Sequence, residues 1–157
     1  MVAMNASPAV VTPDICTLDH DLRPDRAAVV ASLATLLHDA GRVSDVDVFV
    51  EAVMAREALG STVLPGGIAM PHARSHVVTT ASIAVARLPE PISFGNGSDP
   101  VRVVLLIAAP GDDSAGYLAL LQKVATACVK YAFVSDLSEA RTPEGLADIV
   151  GGAISAR

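Results

Sequence analysis

The nine residues Val101-Arg102-Val103-Val104-Leu105-Leu106-Ile107-Ala108-Ala109 form a nearly continuous run of β-branched and aliphatic side chains. A run of this kind is typical of a strand in a sheet that is covered on both faces. We therefore predict that residues 101–109 form a strand and that this strand is central in its sheet.

A second strand is predicted over residues 81–88, where the side chains alternate between two faces. One face carries Ile83, Val85 and Arg87, and the other carries Ser82, Ala84, Ala86 and Leu88. Because buried strands need helices on both faces of their sheet, the sequence predicts an α/β fold, a three-layer α/β/α sandwich.

Two amphipathic helices are predicted before these strands. Pro24 and Asp25 are typical of a first helical turn, and Gly41 closes that helix. Ser44 and Asp47 resemble a capping pair for a second helix, which ends at Gly60 and carries Arg56 on its last turn.

Three helices are predicted after the strands. The first follows the loop at residues 111–114 and carries Leu118, Leu121, Val124, Ala125 and Cys128 at three- and four-residue spacing. A short helix over residues 134–140 comes next. Thr142 as N-cap and Pro143 at the first helical position begin the last helix.

The composition limits the class of protein. The 157 residues fit one domain, and 52% are hydrophobic but only 3% aromatic, so Ala, Val, Leu and Ile must build the core. The net charge of -6, with 11 Lys and Arg in all, argues against a nucleic-acid partner. Cys16 and Cys128 lie far apart without ligand spacing, so neither a disulfide framework nor a zinc site is predicted.

The N-terminal residues do not form a targeting signal. Residues 1–11 contain no Lys or Arg, and no run approaches the roughly 18 apolar residues that a membrane span requires. We therefore predict a soluble, cytoplasmic protein with a flexible tail at residues 1–13 and a single domain at residues 14–157.

His72 is the first candidate for chemistry. It follows Gly66-Gly67-Ile68-Ala69-Met70-Pro71 and lies sixteen residues after Arg56. A neutral imidazole has a free ring nitrogen that can attack phosphorus, and a guanidinium suits a phosphoryl group. The alternative without a catalytic role is that His72 is a structural histidine and that Arg56 is a solvated residue at a helix end.

These residues and several others together resemble the fructose/mannitol-type enzyme IIA of the bacterial phosphoenolpyruvate-dependent sugar phosphotransferase system. The resemblance covers roughly residues 14–154. Its motifs are residues 56–62 (REALGST), 67–72 (GIAMPH), 82–88 (SIAVARL), 91–95 (PISFG), 103–110 (VVLLIAAP) and 142–144 (TPE).

The resemblance implies a small mixed β-sheet and a phosphohistidine carrier that uses no cofactor. His72 would accept a phosphoryl group from the phosphocarrier HPr and pass it to an enzyme IIB, with the membrane involved only indirectly through an enzyme IIC. Nε2 is the expected acceptor atom, and the choice depends on what holds the other ring nitrogen. We expect these partners to be separate polypeptides. The alternative, since the family has regulatory members, is a regulatory, nitrogen-type or degenerate module that acts through protein binding.

Arg56 matches the family arginine that helps to hold the phosphoryl group. Thr62 and Gly67 are candidate hydrogen-bond donors, through hydroxyl and backbone, or are simply loop residues. The sequence departs from the family at residues 114–118, where a second histidine is expected beside the first and Tyr117 stands instead. A phenol donates one hydrogen bond but carries no positive charge, so slower transfer is expected. Alternatively, Tyr117 points elsewhere.

The other histidines do not predict a metal site. His76 lies four residues after His72, but no carboxylate or thiol stands at a useful interval and Pro71 argues against a helix there. We expect His20 and His38 to be structural or exposed. The segment around Gly66 and Gly67 has neither the lysine nor the glycine spacing of a nucleotide-binding loop.

Overall fold

The computed structural model describes residues 9–18, 25–95 and 99–155. These residues begin with a single turn of 3₁₀ helix, Pro13–Ile15. In chain order there follow β1 (Cys16–Thr17), α1 (Arg26–Asp39), α2 (Val46–Glu57), β2 (Val63–Leu64), β3 (Ile68–Ala69), β4 (His72–Ser75), β5 (Ser82–Ile92), β6 (Val101–Pro110), α3 (Ser114–Cys128), α4 (Tyr131–Glu139) and α5 (Pro143–Ser155).

The strand β6 is central in a mixed sheet, as its sequence predicts. β5 runs antiparallel along one edge of β6, while β3 and β4 follow one another in parallel along the other edge. β1 pairs in parallel with β5, and β2 pairs antiparallel with β3. The order β1-β5-β6-β3-β2 therefore combines parallel and antiparallel pairs.

Helices cover both faces of this sheet, which confirms the predicted three layers. On one face α1 and α2 pack on Ala84, Ala86, Val104 and Leu106. On the other face α3, α4 and α5 pack on Ile83, Val85, Leu105 and Ile107. The alternation predicted for residues 81–88 is thus the division between the two cores.

The first two helices are capped by aspartates. Asp25 is the N-cap of α1 and accepts from the Ala28 amide at 2.8 Å. It therefore precedes the first helical turn, whereas the sequence predicts it within that turn. Pro24 lies outside the described residues. Asp45, and not Ser44, caps α2, because the Ser44 hydroxyl donates to the Val77 carbonyl instead.

The C-terminal end of α1 agrees with the prediction, and that of α2 comes earlier than predicted. Gly41, with a φ of 78°, directly follows the C-cap of α1, as predicted. α2 ends at Glu57, three residues before the predicted Gly60, and Arg56 lies on its last turn.

The later helices differ from the prediction at their edges. In α3 the buried stripe is Leu120, Val124, Ala127 and Cys128, and the predicted core residue Leu118 is 60% exposed. α4 begins at Tyr131, three residues early. Thr142 caps α5 as predicted, accepting from the Gly145 amide at 2.9 Å.

The start of the described chain is packed. Of the residues assigned to a flexible tail, residues 1–8 lie outside the described part, whereas Val11 is buried and the Val10 carbonyl accepts from the Ile83 amide at 2.9 Å. Ordered structure thus begins before residue 14. Cys16 and Cys128 are free, and burial raises their thiol pKa values to about 12 and about 11.

Within the described residues no single helix has the length and apolar character to cross a membrane, although the pair α3 and α4, bent by 86°, passes that test when the two are joined.

Candidate active site

His72 lies where two short strands meet on the edge of β6. β3 ends at Ala69, β4 begins at His72, and the Pro71 carbonyl between them accepts from the Ile107 amide at 2.9 Å. Because Pro71 has no amide hydrogen and a fixed φ, it interrupts the ladder without loosening the chain. His72 therefore stands on a backbone fixed to the centre of the sheet.

The ring of His72 is oriented by one hydrogen bond. Its Nδ1 lies 2.8 Å from the carbonyl oxygen of Met70, which can only accept, so Nδ1 carries the proton and Nε2 has the lone pair. His72 is 8% exposed. Burial lowers its pKa below the ordinary value of 6.5, and the charge of Arg56 lowers it further, against the opposing effects of the Met70 hydrogen bond and Glu57. The ring is therefore neutral and nucleophilic near pH 7.

Arg56 lies on the last turn of α2, close enough to affect the site electrostatically. One of its terminal nitrogens donates to the Gly60 carbonyl at 3.0 Å, which holds the guanidinium over the turn that ends the helix. Its charge lowers the pKa values of both His72 and Tyr117. The structure thus brings together these three predicted site residues.

Tyr117 lies in the first turn of α3 and packs against His72. The two ring centroids are 5.9 Å apart, and the ring planes are tilted by 55°. Burial raises the pKa of Tyr117 above 10, while Arg56 and Arg74 oppose that rise. The phenol is therefore protonated at neutral pH and can donate a hydrogen bond beside the imidazole.

Thr62 and Gly67 are engaged elsewhere. The Thr62 hydroxyl donates to the carboxylate of Glu57, and its carbonyl accepts from the Met70 amide at 3.0 Å. The Gly67 carbonyl accepts from the amides of Arg102 and Val103, and its φ of 80° favours glycine. Thr62 thus contacts neighbours of His72, whereas no described contact joins Gly67 to the ring.

Comparison with known proteins identifies the family. The sequence model described as "Phosphoenolpyruvate-dependent sugar phosphotransferase system, EIIA 2" matches residues 12–151. The chain belongs to this EIIA family. This confirms the resemblance seen in the sequence motifs, and phosphoryl transfer is the general chemistry of the family.

Two curated relatives differ in how they contain this EIIA region. The chain is 32% identical over 124 residues to the 2-O-alpha-mannosyl-D-glycerate-specific EIIABC component of Escherichia coli, covering 77% of this chain but 19% of that protein. It is 28% identical over 126 residues to the fructose-specific EIIA component of Haloferax volcanii, covering 80% of this chain and 82% of that one. The chain thus spans about a fifth of the first relative and most of the second.

A solved EIIA structure has the same fold. The nitrogen regulatory protein IIA-Ntr of Neisseria meningitidis superposes with a TM-score of 0.80 at 25% identity, covering 90% of this chain and 96% of that one. The family therefore includes both sugar-specific and regulatory members among the proteins that this chain resembles.

Two charged residues at this EIIA site are absent from the sequence predictions. Glu57 is buried beside Arg56, and the described contacts make it a partner of Thr62 and Arg26. Arg74 lies two residues after His72 on β4, hence on the same face of the strand, and donates to the Gly111 carbonyl at 3.0 Å. The two-residue spacing of His72 and Arg74 could have predicted that the two side chains share a face, but only if β4 had been recognised as a strand.

The remaining histidines lie apart from this arrangement. β4 is a strand, so His76 is not on a helical face with His72, and His76 is exposed. His38 lies near the end of α1, with Nδ1 3.5 Å from Asp39, and His20 is outside the described residues. Within the described part of the chain, no group of three or more His, Cys, Asp or Glu side chains could hold a metal ion.

Proposed function

We propose that this protein is a phosphohistidine carrier that accepts a phosphoryl group on Nε2 of His72. The observation that carries the proposal is the hydrogen bond from Nδ1 to the Met70 carbonyl, which leaves Nε2 unprotonated in a neutral, largely buried ring. A histidine needs this protonation state to act as a nucleophile, and a purely structural histidine does not.

The chemical step is an exchange between two histidines. The Nε2 lone pair attacks the phosphorus of phosphorylated HPr, a new N–P bond forms, and the N–P bond of HPr breaks and returns its electron pair to the HPr imidazole. Nδ1 keeps its proton, and the Met70 carbonyl stabilises the positive charge that develops on the ring. No metal or nucleotide takes part.

Arg56 and Tyr117 are proposed to hold the phosphoryl group. A phosphoryl group carries about -1.5 to -2 charges, and a guanidinium offers two parallel donors to its oxygens. The Tyr117 hydroxyl adds one neutral donor where an imidazolium would add a donor and a charge. Since a hydrogen bond to a charged group contributes about 1.5 to 3 kcal/mol, losing that charge slows transfer without abolishing it.

The partners are proposed to be HPr as donor and an enzyme IIB as acceptor. The name of the Escherichia coli relative places A, B and C components in one protein. Two large apolar side chains adjoin the site residues in sequence: Leu59, three residues after Arg56, is 84% exposed, and Leu118, next to Tyr117, is 60% exposed. Exposed apolar side chains that adjoin the site residues in sequence suit brief docking of two partners in turn. The cytoplasmic location stays a prediction.

A regulatory role is the second candidate function. It is favoured by Tyr117, because a protein that signals through its phosphorylation state tolerates slow transfer, and by the similarity to IIA-Ntr. Transfer from the phosphorylated protein to an enzyme IIB distinguishes the two roles. Rapid transfer to a IIB supports the sugar carrier, whereas a stable phosphoprotein that no IIB discharges supports regulation.

The decisive experiment is phosphorylation by phosphoenolpyruvate, enzyme I and HPr, followed by intact mass. We expect one acid-labile phosphoryl group on the wild type and on His76→Ala, a matched control at an exposed histidine, and none on His72→Ala. Absence of incorporation with several HPr proteins, the cognate one included, would refute the carrier proposal.

A further inference from the structure

Glu57 is a buried carboxylate next to the proposed site. It is the last residue of α2, and its side chain has no exposed surface. One oxygen, Oε2, accepts from the Thr62 hydroxyl. The other, Oε1, lies 3.6 Å from the guanidinium of Arg26 and has no hydrogen-bond partner among the described residues. Burying a carboxylate is costly, so a specific reason for its presence is expected.

An unbroken series of contacts leads from Glu57 to the ring of His72. Glu57 accepts from the Thr62 hydroxyl, the Thr62 carbonyl accepts from the Met70 amide at 3.0 Å, and the Met70 carbonyl accepts from Nδ1 of His72 at 2.8 Å. Each hydrogen bond in this series fixes the orientation of the next peptide group or ring.

The backbone explains how this series can act as a clamp. β2 and β3 form a hairpin in which Val63 is opposite Ala69, so Thr62 and Met70 are the pair at its open end. Glu57 holds the Thr62 side of that end, and the peptide of Met70 is fixed on the other side. A shift of Thr62 is therefore passed directly to the carbonyl that holds Nδ1.

Arg26 anchors the carboxylate from the opposite side. Its guanidinium contacts Glu57 and also donates to the Phe94 carbonyl at 3.3 Å, so it links α1, the end of α2 and the segment after β5. Glu57 is thus held between two helices and the hairpin, and it does not depend on solvent for its position.

We propose that Glu57 is a positioning residue, which acts through Thr62 and Met70 to keep the proton of His72 on Nδ1 and leave Nε2 free. An imidazole in water favours the proton on Nε2, where it would block the nucleophile, so a device that holds the other tautomer is needed. Its consequence for phosphoryl transfer rests on the proposed function, but the effect on the tautomer does not.

The test reads the tautomer of His72 directly, by ¹H–¹⁵N NMR of histidine-labelled protein at a pH where the ring is neutral. The signals of His72 are assigned by their loss in His72→Ala. We expect the Nδ1-protonated form to dominate in the wild type and in Thr62→Ser, which keeps the hydroxyl. Thr62→Val, which replaces the hydroxyl by a methyl group, is expected to shift the proton toward Nε2.

Glu57→Gln and a distant control complete the set. Glu57→Gln keeps the size of the side chain but loses the charge, so a smaller shift in the same direction is expected. Thr142→Val also removes a side-chain hydroxyl contact, the exposed cap of α5, and is expected to leave the His72 tautomer unchanged. In the phosphorylation assay, Thr62→Val should be slower by roughly tenfold or more, since small displacements of a reacting group have large effects on rate.

The outcomes separate the two proposals. A wild-type tautomer in folded Thr62→Val and Glu57→Gln overturns the positioning role, whatever their phosphorylation. A shifted tautomer supports it, even if HPr never phosphorylates the wild type and the proposed function fails. If Thr62→Val does not fold, the spectrum of Glu57→Gln decides alone, and an unshifted tautomer there counts against the proposal.

Discussion

The Tyr117 hydroxyl offers the sharpest test of how the phosphoryl group is held. Tyr117→Phe removes one oxygen and keeps the aromatic contact with His72, whose ring centroid is 5.9 Å away. Burial raises the pKa of the phenol, so the hydroxyl is a protonated donor at neutral pH. On the proposed function, this donor contacts a phosphoryl group carried on Nε2.

The expected magnitude follows from that single bond. A hydrogen bond to a charged group contributes about 1.5 to 3 kcal/mol, and 1.4 kcal/mol is a factor of ten, so the equilibrium for phosphorylation should fall by about ten- to a hundredfold. Tyr117→His, which restores a donor that can carry charge, should raise the equilibrium and rate above those of the wild type.

The assay is the ratio of phosphorylated to free protein at equilibrium with a known ratio of phosphorylated to free HPr, measured by intact mass. Tyr131→Phe is the matched control, because Tyr131 is 85% exposed on α4. An equilibrium in Tyr117→Phe that equals that of Tyr131→Phe would show that the hydroxyl does not touch the phosphoryl group. An unchanged or lower rate in Tyr117→His would refute the argument from charge.

Three further predictions follow from the same contacts. Arg56→Gln should slow phosphorylation by about tenfold or more and Arg56→Lys by less, with Arg141→Gln as an exposed control; equal rates in all three would contradict the role of Arg56. Because burial lowers the pKa of His72 below 6.5, the rate of phosphorylation should fall as the ring is protonated in acid, with a midpoint below pH 6.5. A midpoint above 6.5 in a rate profile between about pH 5 and pH 8 would contradict this. Thr142→Ala should lower the free energy of unfolding by about 1 kcal/mol in urea without changing phosphorylation, and unchanged stability would mean that the cap is dispensable.

The sequence predicts the helices and strands that are long enough to show a periodic pattern of apolar side chains. β5 and β6 are long enough for alternation and continuous burial to be visible, and the five helices carry apolar stripes or caps. β2 and β3 have two residues each, and β4 has four, so no period can identify them. They exist because β6 offers an edge with which they pair, and that edge becomes visible only when the chain is folded.

The same distinction holds for the site. His72, Arg56 and Tyr117 were predicted from a motif and from its one departure, and the structure brings them together. The relation of Glu57 to His72 could not be predicted, because beyond the Thr62 hydroxyl it passes through two backbone groups, the carbonyls of Thr62 and Met70, that every residue type possesses. Side-chain identity carries no information about such contacts.

The charges around His72 bear on which role the protein has. If Glu57 is balanced by Arg26, the guanidinium of Arg56 is left to face the phosphoryl group beside a neutral phenol. An imidazolium in place of Tyr117 would stabilise the phosphorylated state further, so on the proposed function this protein holds its phosphoryl group less tightly. Its phosphorylated fraction would then saturate only at a higher ratio of phosphorylated to free HPr. That behaviour serves a carrier that discharges readily to a IIB, and equally a regulator that reports the supply of phosphoryl groups, so the rate of discharge to a IIB, more than the rate of loading, decides between the two.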